Sequence, residues 1–139
     1  MLNTERAMRQ PPTDATQGVI TEQDGYLRLT LQGRATRGIL LRAVAQVIAE
    51  TKSRNIWRVL CDASAVIAPI STSEKFETGV ELARAADRRM IMAVFARADL
   101  VDYFFETVAR NRGASVRVFT HEGTALQWLF SIPIDSCGR

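Results

Sequence analysis

The fold of this chain is decided by residues 59–79, which read Val59-Leu-Cys-Asp-Ala-Ser-Ala-Val-Ile-Ala-Pro-Ile-Ser-Thr-Ser-Glu-Lys-Phe-Glu-Thr-Gly79. The first residues form an apolar run of strand length, which predicts a buried strand ending at Asp62. An apolar loop is predicted to follow, and a helix to begin at Ser71. We therefore expect a strand end, a loop and a helix start at one edge of a sheet.

The start of this second helix has a specific chemical pattern. Ser71-Thr-Ser-Glu74 matches the capping box, in which the Ser hydroxyl accepts from the Glu amide and the Glu carboxylate accepts from the Ser amide. Pro69 keeps the helix from beginning earlier, because it restricts the preceding residue and has no N–H of its own. The amide groups and the dipole at this end favour an anion. Ser71 is then either a cap alone or also a regulatory hydroxyl that can be phosphorylated.

Strand and helix patterns alternate along the rest of the chain. Residues 19–33 predict a hairpin with its turn at Asp24-Gly25. The later elements predicted are a helix over 36–51, the helix from Ser71 to about Ala86, a strand over 90–96, a helix capped by Asp99, a strand over 115–119 and a helix capped by Thr120.

Their order, β-β-α-β-α-β-α-β-α, defines the fold class. It predicts an α/β domain with a mostly parallel sheet of about five strands, an antiparallel edge hairpin and four helices, joined by right-handed crossovers. The domain is expected to span residues 17–130, between a flexible N-terminal arm over 1–16 and a C-terminal tail over 131–139.

Periodicity also predicts which side chains face inward. In the second strand, Leu27, Leu29 and Leu31 should face the core while Arg28 faces out. In the second helix, the residues expected on the inner face are Phe76, Val80 and Ala83.

Composition narrows the class of protein. The 139 residues are 47% hydrophobic and 24% charged, which is ordinary for a globular domain. No run approaches the roughly 18 apolar residues that a membrane span needs, and residues 1–16 lack the apolar core of a secretory signal, so a cytoplasmic location is expected. The net charge of +3 comes with scattered arginines, and Arg88-Arg89 is the one adjacent pair. This pattern indicates a solvated surface and gives no reason to expect a nucleic-acid partner.

Few residues offer catalytic or metal chemistry. Cys61 and Cys137 form neither a CxxC pair nor a metal-ligand spacing, and His121 is the single histidine, so no metal or cofactor is expected. The candidates for nucleophilic work are Asp62, Ser64, Ser71 and His121. A hydroxyl nucleophile needs a base within hydrogen-bond reach, and 50 residues separate Ser71 from His121. We therefore expect a binding domain and not an enzyme.

Residues 62–79 and the closing portion of the chain resemble a known family. The closing portion comprises Phe104-Phe-Glu-Thr-Val-Ala-Arg-Asn-Arg-Gly113, Val116-Arg-Val-Phe119 and Ala125-Leu-Gln-Trp-Leu129. Together they are similar to the STAS domain of bacterial anti-sigma-factor antagonists and to the branch described as STAS-like or SpoIIAA-like. The resemblance covers roughly residues 19–130 and implies the same α/β fold.

The resemblance also implies a regulatory site. In the antagonists, a partner kinase phosphorylates a Ser at the start of the helix, and the added charge switches partner binding. Asp62 matches the family's strand-end Asp, and Ser71 matches the phosphorylated Ser. Ile70 stands where the family has an Asp before that Ser, and Ser73-Glu74 replaces the usual Ser-Gly pair. The STAS-like branch is implied to share the fold without necessarily sharing the switch.

The leading functional hypothesis is therefore a non-catalytic regulatory domain that docks a protein partner through this loop and the second helix. Six apolar residues over 65–70 are unusual in a loop unless something covers them. The partner candidates are a kinase, an anti-sigma-like regulator or a second copy of the chain. The residues predicted to form the partner or ligand site are Asp62, Ser64, Val66, Ile67, Pro69, Ile70, Ser71, Thr72 and Ser73.

The alternative is a carrier of a small amphipathic, lipid-like ligand held between the sheet and the helices. Methionine and aromatic side chains adapt readily to apolar ligands. The expected lining is Met90, Met92, Phe95, Phe104 and Phe105. The same residues would also serve as an ordinary core.

Overall fold

The computed structural model describes residues 18–67 and 70–134. The strands are β1 Val19–Glu22, β2 Leu27–Gly33, β3 Arg58–Val66, β4 Ile91–Ala96 and β5 Ser115–Phe119. The helices are α1 Arg37–Arg54, α2 Thr72–Ala85, α3 Phe104–Asn111 and α4 Glu122–Ser131, with a single 3-10 turn at Ala98–Leu100 before α3. The predicted order of strands and helices is confirmed. The N-terminal arm, Pro69 and residues 135–139, which include Cys137, lie outside the described residues.

The five strands form one sheet in the order β1-β2-β3-β4-β5. β1 pairs antiparallel with β2, and the remaining pairs are parallel, as predicted. Gly25 takes a φ of 89° in the predicted hairpin turn, which glycine adopts without steric cost. Because each crossover moves one strand further in the same direction and is right-handed, α1, α2 and α3 share one face of the sheet. α4 packs on the opposite face, against β3, β4 and β5.

Each face of the sheet has its own apolar core. Leu27, Leu29 and Leu31 of β2 are buried beneath α1, α2 and α3, as predicted. On the other face, Leu60 and Ala93 pack with residues of α4. Arg28 was expected to face solvent, and this is wrong. α4 covers its face of the sheet, and the Arg28 side chain is only 21% exposed.

β3 is longer than the sequence indicates. It was predicted to end at Asp62, but it continues to Val66. Thr30 of β2 pairs with Asp62, whereas Gln32 pairs with Ala65, so β3 carries one extra residue at this point. Such a bulge reverses the in–out alternation. Val66 is therefore buried on the same face as Cys61, and residues 63–66 of the predicted loop belong to the sheet.

The buried face of α2 also differs from the prediction. Its buried residues are Thr78, Gly79 and Leu82. A Cβ at Gly79 would lie 3.0 Å from Val108 Cγ1 and 3.2 Å from the Phe105 carbonyl oxygen, so the glycine allows α3 to approach closely. This contact fixes the rotation of α2. Of the three residues predicted to face inward, Phe76 is exposed, and Val80 and Ala83 are only partly buried.

Two predicted helix caps are wrong. Asp99 lies in the 3-10 turn, and α3 begins later, at Phe104, where the Asp102 carboxylate accepts from the Phe104 amide at 3.1 Å. The last helix begins one residue later than Thr120 would place it, with His121 at the cap position and no side-chain cap bond. In both cases an additional residue or turn separates the strand from the helix.

Candidate functional site

The amino end of α2 forms the centre of the candidate site. The Glu74 amide donates to Ser71 Oγ at 3.1 Å, and the Ser71 amide donates to Glu74 Oε1 at 3.0 Å, so the predicted capping box is confirmed. The Ser71 hydroxyl also donates to Glu74 Oε1 at 2.9 Å. These bonds from Ser71 lower the pKa of Glu74 and keep its carboxylate charged. Ser71 is exposed and is held in one defined orientation.

The start of α1 joins this end of α2. The Arg37 amide donates to Glu74 Oε2 at 3.0 Å, and the Arg37 guanidinium pairs with Glu77 one turn along α2. The Glu74 carboxylate therefore accepts from the first turns of two helices. Because both helix ends carry partial positive charge, a negative group between them is favourable.

Exposed apolar side chains precede and follow Ser71 in the chain. Ile67, just after β3, is 58% exposed, and Phe76, one turn into α2, is 42% exposed. The Arg112 guanidinium lies 5.4 Å from the centre of the Phe76 ring. We call Ile67, Ser71, Thr72, Ser73 and Phe76 the α2 entry surface, and all five are exposed. Sequence periodicity missed Phe76, because it placed this side chain in the core.

Two predicted site residues turn away from this surface. Val66 is buried in the core between the sheet and α1 to α3, and Ile70 packs against the same core. Their side chains are not available to a partner on the α2 entry surface. Of the apolar residues predicted to form the loop, Ile67 is the one large side chain in the described part that is exposed.

Asp62 and Ser64 belong to a different structure, on the face of the sheet that α4 covers. Asp62 Oδ1 accepts from the Ser64 amide at 3.0 Å and from the Ser64 hydroxyl at 2.6 Å, and these bonds accommodate the bulge in β3. Arg28 lies 2.5 Å from Asp62 Oδ2 and 3.0 Å from Glu122 Oε2, so it ties β2 and β3 to the start of α4. Asp62 is therefore a structural residue within a strand.

The pKa of Asp62 is set by the opposing effects of burial and of its hydrogen bonds. Burial alone would raise it, but the hydrogen bonds from Ser64 and the Arg28 guanidinium together outweigh burial. The pKa of Asp62 is therefore held below its ordinary value. The carboxylate remains charged at neutral pH, as its two partners require.

The candidate nucleophiles do not meet a histidine base. The hydroxyl of Ser71 donates to Glu74, and that of Ser64 donates to Asp62. His121 contacts Thr120 at the start of α4, on the opposite face of the sheet from α2. Within residues 18–67 and 70–134, no group of three or more His, Cys, Asp or Glu side chains is arranged to hold a metal ion. No helix in that part of the chain is long and apolar enough to cross a bilayer.

An apolar cavity of about 140 Å³ lies between the sheet and α1 to α3, next to the α2 entry surface. Of the five residues predicted to line a ligand pocket, Met92 and Phe105 line it. Met90, Phe104 and Phe95 do not, and Phe95 packs in the core under α4. Cys61 also lines the cavity, and burial raises the pKa of its thiol to about 12, so the thiol is protonated and unreactive.

Comparison with known proteins bears on the fold. The chain is similar in structure to an anti-sigma factor antagonist from Mycobacterium paratuberculosis, with a TM-score of 0.64 and 15% identity over 86% of this chain and 97% of that one. It is also similar to a protein of the DUF3478 family with a SpoIIAA-like fold from Shewanella loihica, with a TM-score of 0.55 and 13% identity over 86% of this chain and 98% of that one. No protein-family model and no curated protein matches the sequence. The predicted STAS-like, SpoIIAA-like fold is confirmed.

Proposed function

We propose that this SpoIIAA-like domain is a regulatory module that docks a protein partner on the α2 entry surface. The observation that carries the proposal is the exposed, hydrogen-bonded Ser71, preceded in the chain by exposed Ile67 and followed by exposed Phe76. Apolar anchors beside polar groups at a helix end suit a protein interface. The fold shared with an anti-sigma factor antagonist supports the same role.

The proposal includes a charge switch at Ser71. Phosphorylation would add about −1.5 to −2 charges at the amino end of α2, where the dipole and free amides stabilise an anion. The phosphate would also repel the Glu74 carboxylate, which now lies 2.9 Å from the Ser71 hydroxyl. Modification would therefore open the capping box and change the charge of the docking surface while leaving the fold in place.

Site-specific photo-crosslinking tests the docking surface directly. A photoreactive amino acid at Ser73, exposed on α2, should give a discrete adduct in cells, whereas the same group at Gln127, exposed on α4, should not. The pair Ile67→Ser with Phe76→Ser should abolish the Ser73 adduct. Phe130→Ser, which alters an exposed aromatic on α4, should leave it intact. An adduct that survives the double substitution would contradict the proposal.

The same experiment separates two kinds of partner. An adduct at twice the mass of the chain indicates a homodimer, and any other mass indicates a different protein. The switch is tested by Ser71→Glu and Ser71→Ala. Docking that weakens at least tenfold with Glu and stays within about threefold with Ala supports it, since one charge at an interface is worth roughly 1–2 kcal/mol. Equal effects of the two substitutions would remove the switch from the proposal.

A further inference from the structure

The apolar cavity contains one charged pair, and this pair distinguishes it from a packing defect. Lys75 Nζ lies 2.8 Å from Asp102 Oδ2, and both residues line the cavity. The Lys75 side chain is only 14% exposed, whereas Asp102 is 56% exposed. Lys75 is thus the more buried member of the pair, and the Asp102 side chain is largely in water.

The rest of the lining offers almost no polar contacts. It consists mainly of aliphatic side chains from β2, β3, β4 and α1, with the Phe105 ring from α3. The Thr78 hydroxyl donates to the Glu74 carbonyl at 2.7 Å and is already satisfied. An unfilled apolar cavity of this size destabilises a fold, so an apolar group that fills it is favoured. Cavities of about 150 Å³ hold a benzene-sized molecule.

From these observations we propose that the cavity is a binding site for a small carboxylate with a compact apolar body of about six heavy atoms. The apolar body fills the space under α1 to α3. The carboxylate of the ligand pairs with Lys75 and replaces Asp102, which moves into solvent. Lys75 remains paired in both states, so the exchange leaves no buried charge without a partner.

The cavity reaches the surface where such a ligand would enter. Asp102 and Tyr103 belong to the lining and are also exposed. They lie in the connection between β4 and α3, which the Lys75–Asp102 pair joins to α2. Breaking this pair is therefore the step that both admits the ligand and frees the ammonium group. This inference does not depend on the proposed docking function.

Benzoate and benzyl alcohol are a matched pair of probes, because they share the ring and differ in charge. Calorimetry or ligand-observed NMR on the full chain should show saturable binding of benzoate. Lys75→Met keeps the aliphatic part of the side chain and removes the charge. It should lower the affinity for benzoate at least tenfold and change the affinity for benzyl alcohol less than threefold. The control is Lys52→Met, which alters the other lysine of the chain, an exposed residue of α1. It should change neither affinity.

Asp102→Asn is the decisive test, because the proposal predicts the direction in which the affinity for benzoate changes. It removes the competing carboxylate, so benzoate should bind severalfold more tightly, whereas loss of a merely structural pair would weaken or not change binding. Ala63→Leu fills the cavity and should abolish binding of both probes. The proposal is overturned if benzoate does not bind at about 10 mM. It is also overturned if Lys75→Met leaves the affinity for benzoate unchanged or if Asp102→Asn fails to increase that affinity. Binding of benzyl alcohol without benzoate would equally exclude the carboxylate.

Discussion

Asp62→Asn tests the network that holds α4 to the sheet. Asp62 accepts two hydrogen bonds from Ser64 and one from Arg28, and its side chain is 13% exposed. Asn keeps the shape and one acceptor oxygen, so the main loss is the charged contact with Arg28. A hydrogen bond to a charged group contributes about 1.5–3 kcal/mol, and breaking a fully buried pair costs about 3–5 kcal/mol.

The expected loss of stability on Asp62→Asn lies in the lower of these two energy ranges. Arg28 retains Glu122 at 3.0 Å and remains partly solvated, so it is not left without a partner. We therefore expect Asp62→Asn to lower the free energy of unfolding by about 2 kcal/mol. For 139 residues, this corresponds to a fall in Tm of about 7 °C. Urea denaturation followed by tryptophan fluorescence at pH 7 measures the difference.

The pH dependence supplies an independent check. Because the pKa of Asp62 in the folded state lies below its ordinary 3.8, its contribution is fully present above that value and is lost as the pH falls through the folded pKa. The difference between wild type and Asp62→Asn should therefore shrink below about pH 4. Glu74 and Asp102 also titrate low, but they do so in both proteins and cancel in the difference.

The control is a surface pair of the same type. Arg97 and Asp99 are joined at 2.7 Å but are 47% and 61% exposed, so Asp99→Asn should cost less than about 0.5 kcal/mol. Should Asp62→Asn cost no more than this control, or should its difference from wild type persist unchanged to pH 3, the structural role assigned to Asp62 would be refuted.

Three further predictions concern the helix contacts and the buried thiol. Ser71→Ala should cost about 1 kcal/mol in urea denaturation through loss of the cap, and Ser71→Asp, which can also cap, should recover most of it. Gly79→Leu should cost at least about 2 kcal/mol because the side chain meets Val108 and the α3 backbone, whereas Gly123→Ala, which meets nothing, should cost nothing or stabilise slightly. In a Cys137→Ser background, Cys61 should react with a thiol reagent too bulky to enter the cavity only as fast as the protein opens or unfolds, and rapid native labelling by that reagent would contradict its burial.

Short-range patterns in the sequence determined the elements and the centre of the site. The capping box lies within four residues, so Ser71 to Glu74 specify it without help from the rest of the chain. The alternation of strands and helices likewise fixed the parallel sheet and the edge hairpin, since right-handed crossovers leave few topologies. The hairpin turn at Gly25 is likewise determined by a short-range pattern.

Tertiary structure decided what depends on partners far along the chain. Arg28 is paired because α4, 94 residues later, crosses to its face of the sheet, and periodicity within β2 cannot report this. The bulge after Asp62 depends on the register with β2, and with it residues 63–66 of the predicted loop became strand and Val66 became buried. The exposure of Phe76 follows from Gly79 packing against α3, and the cavity beside Lys75 exists only where three helices and the sheet meet. The sequence encodes the local preference of each segment for helix or strand. The element that packs against a segment decides which of its faces becomes buried.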